Sequence, residues 1–429
     1  MSFLSELAHQ YIDGEWLTGD GEWDIIDFDP RDGEKLCSIT VATTAQVDSA
    51  YRAAERAQSA WAGAGHSERR AVLEKAALLL DERRDETAEL LVAEAGVSRA
   101  AAEHEIRATG RLLRAAVRLT DEAVAELLPS LGDGRENRVH RVPVGVVGVI
   151  GACDLPLAVT VRTVAPALAL GNAAVVKPHQ SAPVAGGTLV ARILEDAGLP
   201  AGLLNVLITD SSEIGDSFIE HPVPKVLSFT GSERVGRRVA AVAAGLFKRT
   251  VLDLAGGSAL VVLDDADLDQ AVRAAVHGRS RFRGRSGEAA AGRVLVDRTV
   301  EAEFTRRFTA ALSALPTGDA YGRESGGEPS APVSFDGEDE ALRVVNDGPR
   351  GLCGAVHTAD TERGVRFARR ISRGGVFHVN GPVVHDDPAV AFGGETGSGT
   401  VRLDGSAARD AFTTRKWISV QHGRTSFPF

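Results

Sequence analysis

The stretch PVGVVGVIGACDLPLAVTVRTVAPALALGNAAVVKP, residues 143–178, decides the fold. Its first apolar run, Val146–Ile150, is short, rich in β-branched residues and uninterrupted, as a strand buried on both faces must be. Gly151 breaks the run, residues 156–170 then carry apolar side chains at helical spacing, and 173–176 form a second buried strand. Downstream the alternation continues, with strands at 203–207, 226–229 and 251–254, helices at 183–197 and 232–244, and a shorter helical pattern near 211–220. Such alternation predicts a doubly wound parallel sheet, whose ligands bind beyond the carboxyl ends of the strands. Here those ends are 151–154, 177–180 and 230–232.

A second alternation follows: strand 259–263, helix 267–282, strand 293–296, helix 300–314. Residues 316–331 are rich in Gly, Ser, Glu and Pro and read as a loop, 376–380 as a strand, and 392–399 as a glycine-rich loop. The tail from 412 to 421 reads as an extended arm. On the amino-terminal side, 11–40 reads as short strands and turns, and 44–124 as helical, with Gly96 as a helix stop.

Composition narrows the class. A chain of 429 residues holds two or three domains, and 44% hydrophobic with 25% charged residues is ordinary for a globular protein. The net charge of −11 argues against a nucleic-acid partner, and the basic stretch 279–285 is too short to reverse that. The cysteines are Cys37, Cys153 and Cys353, with no CxxC pair, so neither a disulfide framework nor a zinc site is expected, and no metal site of any kind is predicted. The first residues lack a signal-peptide pattern, and no apolar run is long enough to span a membrane. The expectation is a cytoplasmic protein with no membrane partner.

An ordered series of motifs then resembles the aldehyde dehydrogenase superfamily over essentially the whole chain. YIDGEW (11–16), PVGVVGVIGACDLPL (143–157), VAPALALGNAAVVKP (164–178), SFTGSERVG (228–236), ALVVLDDADLD (259–269), AGRVLV (291–296), HVN (378–380) and AFGGETGSG (391–399) occur in the family's order. The resemblance implies an α/β fold. It would have a Rossmann-like parallel-sheet nucleotide domain (1–124 and 143–250), oligomerisation and bridging segments (125–142 and 411–429), and a catalytic-type α/β domain (251–410). That last domain reads as shortened between Leu315 and Pro332. A homo-oligomer, dimer or tetramer, is the implied assembly, because free strand edges invite pairing.

Residue by residue, the resemblance sets three positions against the family's chemistry. Glu288 stands where the family keeps its nucleophilic cysteine, three residues before Ala291. A soft thiolate adds to an aldehyde, releases hydride and becomes a thioester, whereas a carboxylate would have to form a far less favourable mixed anhydride. Asp154 stands where an asparagine amide helps hold the oxyanion, and when ionised it has no donor to offer. Asp253 takes the general-base glutamate's place, one methylene shorter. The three carboxylates are expected to converge, with Arg281, Arg283 and Arg285 near enough to offset them. Cys153 replaces the family tryptophan near the pocket mouth and is the candidate substitute thiol.

For the cofactor, NAD or NADP is implied, with binding weakened or lost as the alternative. Lys177 matches the ribose-binding lysine, Gly231, Ser232 and Gly236 match the pyrophosphate turn, and Gln180 replaces the glutamate that disfavours a 2′-phosphate. Glu328 matches the remnant of the nicotinamide-side motif, without its phenylalanine. The leading expectation is a catalytically inactive relative with a structural, assembly or regulatory role, open to an unidentified protein partner. The alternatives are an active NAD(P)-dependent aldehyde oxidoreductase with atypical residues, and a non-redox acid/base enzyme using Glu288 and Asp253.

Overall fold

A computed structural model describes residues 2–121, 125–131, 134–254, 256, 258–281, 293–314, 331–347, 350–372, 374–383, 387–400 and 402–424. The sheet expected from residues 143–178 has seven strands. Their order is Arg249–Leu254, Val226–Gly231, Val146–Ile150, Ala173–Lys177, Leu204–Val206, Gln10–Ile12, Glu15–Leu17. The first five run parallel, and the last two join antiparallel at the edge. Val147, Ala173, Ala174, Val175 and Val176 are wholly buried, which is why these strands lack the polar alternation of a half-exposed sheet. The Thr44–Gly63 helix, started by a capping box between Thr43 and Gln46, packs on the three strands from Val146 to Val206. Pro156–Ala169 packs on the first two of them and against the long Arg99–Thr120 helix.

Three details differ from the spacing. The helix expected at 183–197 opens with a wider turn, Val184–Thr188, before Leu189–Asp196 continues as α-helix. Close packing accounts for the glycines there: a Cβ on Gly187 would meet Pro178 Cγ at 2.8 Å and Val206 Cγ1 at 2.9 Å. Near 211–220 the chain forms two one-turn helices, Ser211–Ile214 and Ser217–Glu220. The Arg249–Leu254 strand crosses residue 250, so the first sheet takes in Asp253.

The second sheet is wholly parallel, in the order Val333–Phe335, Arg293–Asp297, Ala259–Val262, Cys353–His357, Val376–Val379. Phe304 and Phe308 of the Glu301–Ser313 helix cluster with Leu260, Val262, Val294 and Val296, while Phe335, Leu342 and Phe367 cluster with Val261, Leu295 and Val356. Alternate residues of one strand thus feed two cores, as a sheet covered on both faces requires. Finally, Arg135–Pro143 lies between Ala125–Leu128 and Thr413–Gln421 in an antiparallel three-stranded sheet. Leu127, Leu128, Trp417 and Ile418 are exposed on it. Among the described residues no helix is long and apolar enough to cross a membrane, and no three metal-ligating side chains gather.

Candidate active site

Strand order locates the crevice. From Val146–Ile150 the chain steps to Ala173–Lys177 on one side and later returns to Val226–Gly231 on the other. The order reverses between those neighbours, so the opening lies beyond Ile150 and Gly231, bordered by the 151–155 loop and the 231–232 turn.

Three helical segments start at this edge, and their first N–H groups have different fates. In Pro156–Ala169, Pro156 has no N–H, Leu157 and Ala158 donate to Glu105 Oε1 at 2.9 and 3.1 Å, and Val159 donates to the Leu155 carbonyl at 2.9 Å. In the segment starting at Val184, Val184 and Ala185 donate to Glu94 at 2.7 and 2.6 Å. The start of Glu233–Gly245 is different: Ser232 is its N-cap without a side-chain cap bond, and the N–H groups of Arg234 and Val235 meet no acceptor among the described residues. Of the three, this helix alone turns uncommitted donors and its positive end toward the crevice, which fits an anionic pyrophosphate. Glu233, in its first turn, is drawn back along the helix by Arg237 at 2.7 Å.

The cofactor candidates fall around this opening. Lys177 ends its strand; burial pushes its ammonium below the ordinary value, and the charge of Asp210 opposes that. Gln180 is exposed just beyond. A Cβ on Gly231 would come within 2.8 Å of the Phe229 ring, so the turn needs glycine there. Gly236 is packed closely. A Cβ would stand 2.4 Å from Leu254 Cδ2, so this glycine lets the helix lie on the Arg249–Leu254 strand. Glu328 lies outside the described residues.

Of the catalytic candidates, Glu288 also lies outside the described residues, with Arg283 and Arg285. Asp253 is half-buried near the end of its strand, in register with Thr230 and bridged to Gly399. The 394–400 loop of the second domain seals this edge through Leu254 N to Ser398 O at 3.0 Å and Thr400 N to Leu252 O at 3.3 Å. Gly399 is required there, since a Cβ would lie 2.3 Å from the Leu252 carbonyl oxygen. Asp154 sits in the 151–155 loop, after a strand two places away from that of Asp253, a backbone spacing of about 10 Å. The two carboxylates therefore border one crevice from separate strands.

The thiols differ in setting. Cys353 begins a strand of the second sheet, fully buried, with Sγ 3.1 Å from Ser258 Oγ, and burial with the nearby charge of Asp253 pushes it up to about 11. Cys37 lies in the Asp24–Phe28/Lys35–Thr40 hairpin, pushed up to about 12 by burial and by Asp27 and Glu94. Both are protonated at neutral pH. Cys153 is half-buried in the 151–155 loop, beside Asp154.

Three features at this end of the molecule were not singled out from the sequence: Glu94, Glu105 and Arg162. Arg162 lies two turns along the helix from Asp154, its Nε 3.5 Å from Asp404 Oδ2 and its guanidinium 4.8 Å from the centroid of Phe392. It lines a cavity of about 230 Å³ with Leu112, Leu119, Pro166 and Ala389.

The two parallel sheets, the reversal crevice and the joining loop define an α/β fold with a Rossmann-like sheet, and the candidate site borders the crevice. The chain belongs to the aldehyde dehydrogenase family, whose sequence profile matches residues 16–327 and 328–418. It is similar to the benzaldehyde dehydrogenase YfmT of Bacillus subtilis, with 39% identity over 482 aligned positions covering 99% of each chain. Because that alignment is longer than this chain, the relative carries positions that this chain lacks. A vanillin dehydrogenase of Corynebacterium glutamicum is 36% identical over 96% of this chain and 97% of its own. Among solved structures, an NAD-dependent benzaldehyde dehydrogenase of Corynebacterium glutamicum superimposes with a TM-score of 0.87 at 33% identity, covering 99% of this chain and 98% of its own. A salicylaldehyde dehydrogenase of Pseudomonas putida G7, complexed with salicylaldehyde, gives 0.92 at 28%, covering 98% of this chain and 99% of its own. These relatives carry dehydrogenase names, which favours a catalytic reading over the inactive one expected from residues 154 and 288.

Proposed function

We propose that the chain is an NAD(P)-dependent oxidoreductase for aromatic aldehydes, working as a homo-oligomer with carboxylates where its family uses a thiolate. The observation that carries this reading is the end-to-end identity with a benzaldehyde dehydrogenase. Lys177, Ser232 and the open first turn of Glu233–Gly245 would hold the nucleotide, and Gln180 leaves both NAD and NADP acceptable. Self-association is supported by the exposed apolar side chains Leu127, Leu128, Trp417 and Ile418 on one projecting sheet.

Without a thiolate the aldehyde must be activated as its hydrate. Asp253 takes a proton from water as the water oxygen bonds to the carbonyl carbon and returns it to the former carbonyl oxygen, giving a geminal diol. Glu288, at the nucleophile's place in the sequence, takes the second hydroxyl proton. Bound nicotinamide supplies the acceptor for the hydride that the same carbon loses, so aldehyde and water leave as acid, reduced nicotinamide and a proton. Loss of the nucleophile costs on the order of 10⁶, which from a typical kcat of about 10 s⁻¹ leaves about one turnover per day. The carboxylate route has to exceed that floor.

The second reading, a non-catalytic family member with an assembly or regulatory role, is favoured by the acids at 154 and 288. Concentrated protein incubated with benzaldehyde, vanillin or salicylaldehyde and NAD or NADP separates the two. Equal amounts of acid and reduced nicotinamide, abolished by Asp253→Asn, support the first. Cofactor binding with no acid above the protein-free reaction selects the second.

A further inference from the structure

Glu105 takes no part in the chemistry above, yet it holds the first turn of the helix that follows the loop bordering it. It lies on the apolar side of the Arg99–Thr120 helix among Ala102, Ile106 and Thr109, and is 2% exposed. Its Oε1 receives the two N–H groups that follow the 151–155 loop, as an N-cap side chain would. The N-cap residue, Leu155, has no side-chain oxygen and is held at φ 48° and ψ 50°, left-handed backbone that a leucine adopts only under constraint. The loop carrying Cys153 and Asp154 is thus fastened from behind by a carboxyl group borrowed from another helix.

Charge gives that fastening a second consequence. Burial and the carboxylate of Asp154 raise Glu105, and its two N–H bonds oppose them, leaving it at about 7. Other charged groups on the packed elements are engaged elsewhere. Glu94 holds Val184 and Ala185, Arg69 is turned to the carbonyls of Trp61, Ala64 and Ala169, and Arg162 faces Asp404. Burial governs Glu105 first, and Asp154 is the charged group that adds to it.

We propose that Glu105 is a positioning residue for the candidate active site: its carboxyl fixes the 151–155 loop, and its ionisation places a second negative charge behind Asp154 that weakens the site's hold on an aldehyde oxygen. This rests on the reading of the crevice as an aldehyde site.

The test compares the wild type, Glu105→Gln and Glu105→Ala in two measurements. The first is benzaldehyde affinity with NAD present, one pH unit either side of about 7. The wild type should bind about fivefold more weakly on the alkaline side, the change that one pKa unit of coupling gives across a window of one pH unit either side. Glu105→Gln, which keeps the acceptor but cannot ionise, should show no such fall, and Glu105→Ala should bind weakly at both. The second is the alkylation rate of Cys153, followed by peptide mass, which needs no aldehyde. Glu105→Ala should speed it severalfold, and Glu105→Gln should leave it near wild type at the lower pH. A wild-type pH dependence that survives in Glu105→Gln overturns the charge role, and unchanged Cys153 labelling in Glu105→Ala overturns the positioning role. Absence of benzaldehyde binding at any pH, with Cys153 labelling as expected, sinks the aldehyde reading and leaves the positioning standing.

Discussion

Gly236 offers a measurement that separates packing from cofactor chemistry. A Cβ there would lie 2.4, 3.0 and 3.3 Å from three atoms of Leu254, and distances under 3 Å force something to move. Leu254 is itself buried at the edge of the first sheet, between this helix and the loop that brings in Ser398, so it has little room to yield. Overpacking of this kind costs about 1–3 kcal/mol, and Gly236→Ala should sit in that range by urea unfolding. Leu254→Ala alone should cost about 2–5 kcal/mol, as a buried leucine does. The double variant should be more stable than the sum predicts, by about 1 kcal/mol or more, because the new methyl fills part of the space vacated by the leucine. Thermal shift with NAD should change little in Gly236→Ala, since the residue faces the strand. An unaltered stability together with lost cofactor binding would refute this reasoning and return Gly236 to the pyrophosphate turn.

Other consequences are as open to measurement. Glu105 is raised to about 7 from about 4.5, so its stabilising effect is full below about 4.5 and disappears as pH rises through 7. That amounts to about 3 kcal/mol, so the wild type should lose stability relative to Glu105→Gln across this window, and parallel curves would contradict it. Trp417→Asp, on the exposed face of the projecting sheet, should shift the protein toward smaller species by light scattering, with no change in its circular dichroism. Glu288→Cys should raise benzaldehyde oxidation at least a hundredfold and make it sensitive to iodoacetamide; no gain would count against position 288 as the nucleophile's place.

Residues 143–178 made the first sheet legible because unbroken Val/Ala runs of strand length, separated by one helix, have few other solutions. The candidate cofactor residues could be located for a similar reason: Lys177 ends one strand and Ser232 follows another, so placing the strands places them. Gly236 was only half legible, since a glycine one turn into a helix looks the same whether it faces a phosphate or a leucine. Glu94 and Glu105 escaped because acids in helices are ordinarily solvated. Their signal was nevertheless present: Glu105 falls between Ala102, Ile106 and Thr109, and Glu94 follows Leu90 and Leu91, both on apolar stripes. The segment 331–372 was hard to read because its strands are as short as Val333–Phe335 and its neighbouring segment departs from the family pattern. The strand Cys353–His357 was still available as a short apolar run after Gly351.

The most direct trial of an oxidoreductase without a thiolate is acid formation by a cysteine-free variant, Cys37→Ala, Cys153→Ala and Cys353→Ala combined. With benzaldehyde and NAD(P), benzoate and reduced nicotinamide should form in equal amounts and at the wild-type rate. Turnover confined to the wild type would put a cysteine back at the centre of the reaction. Silence from both proteins, with cofactor bound, would make the chain a non-catalytic member of its family.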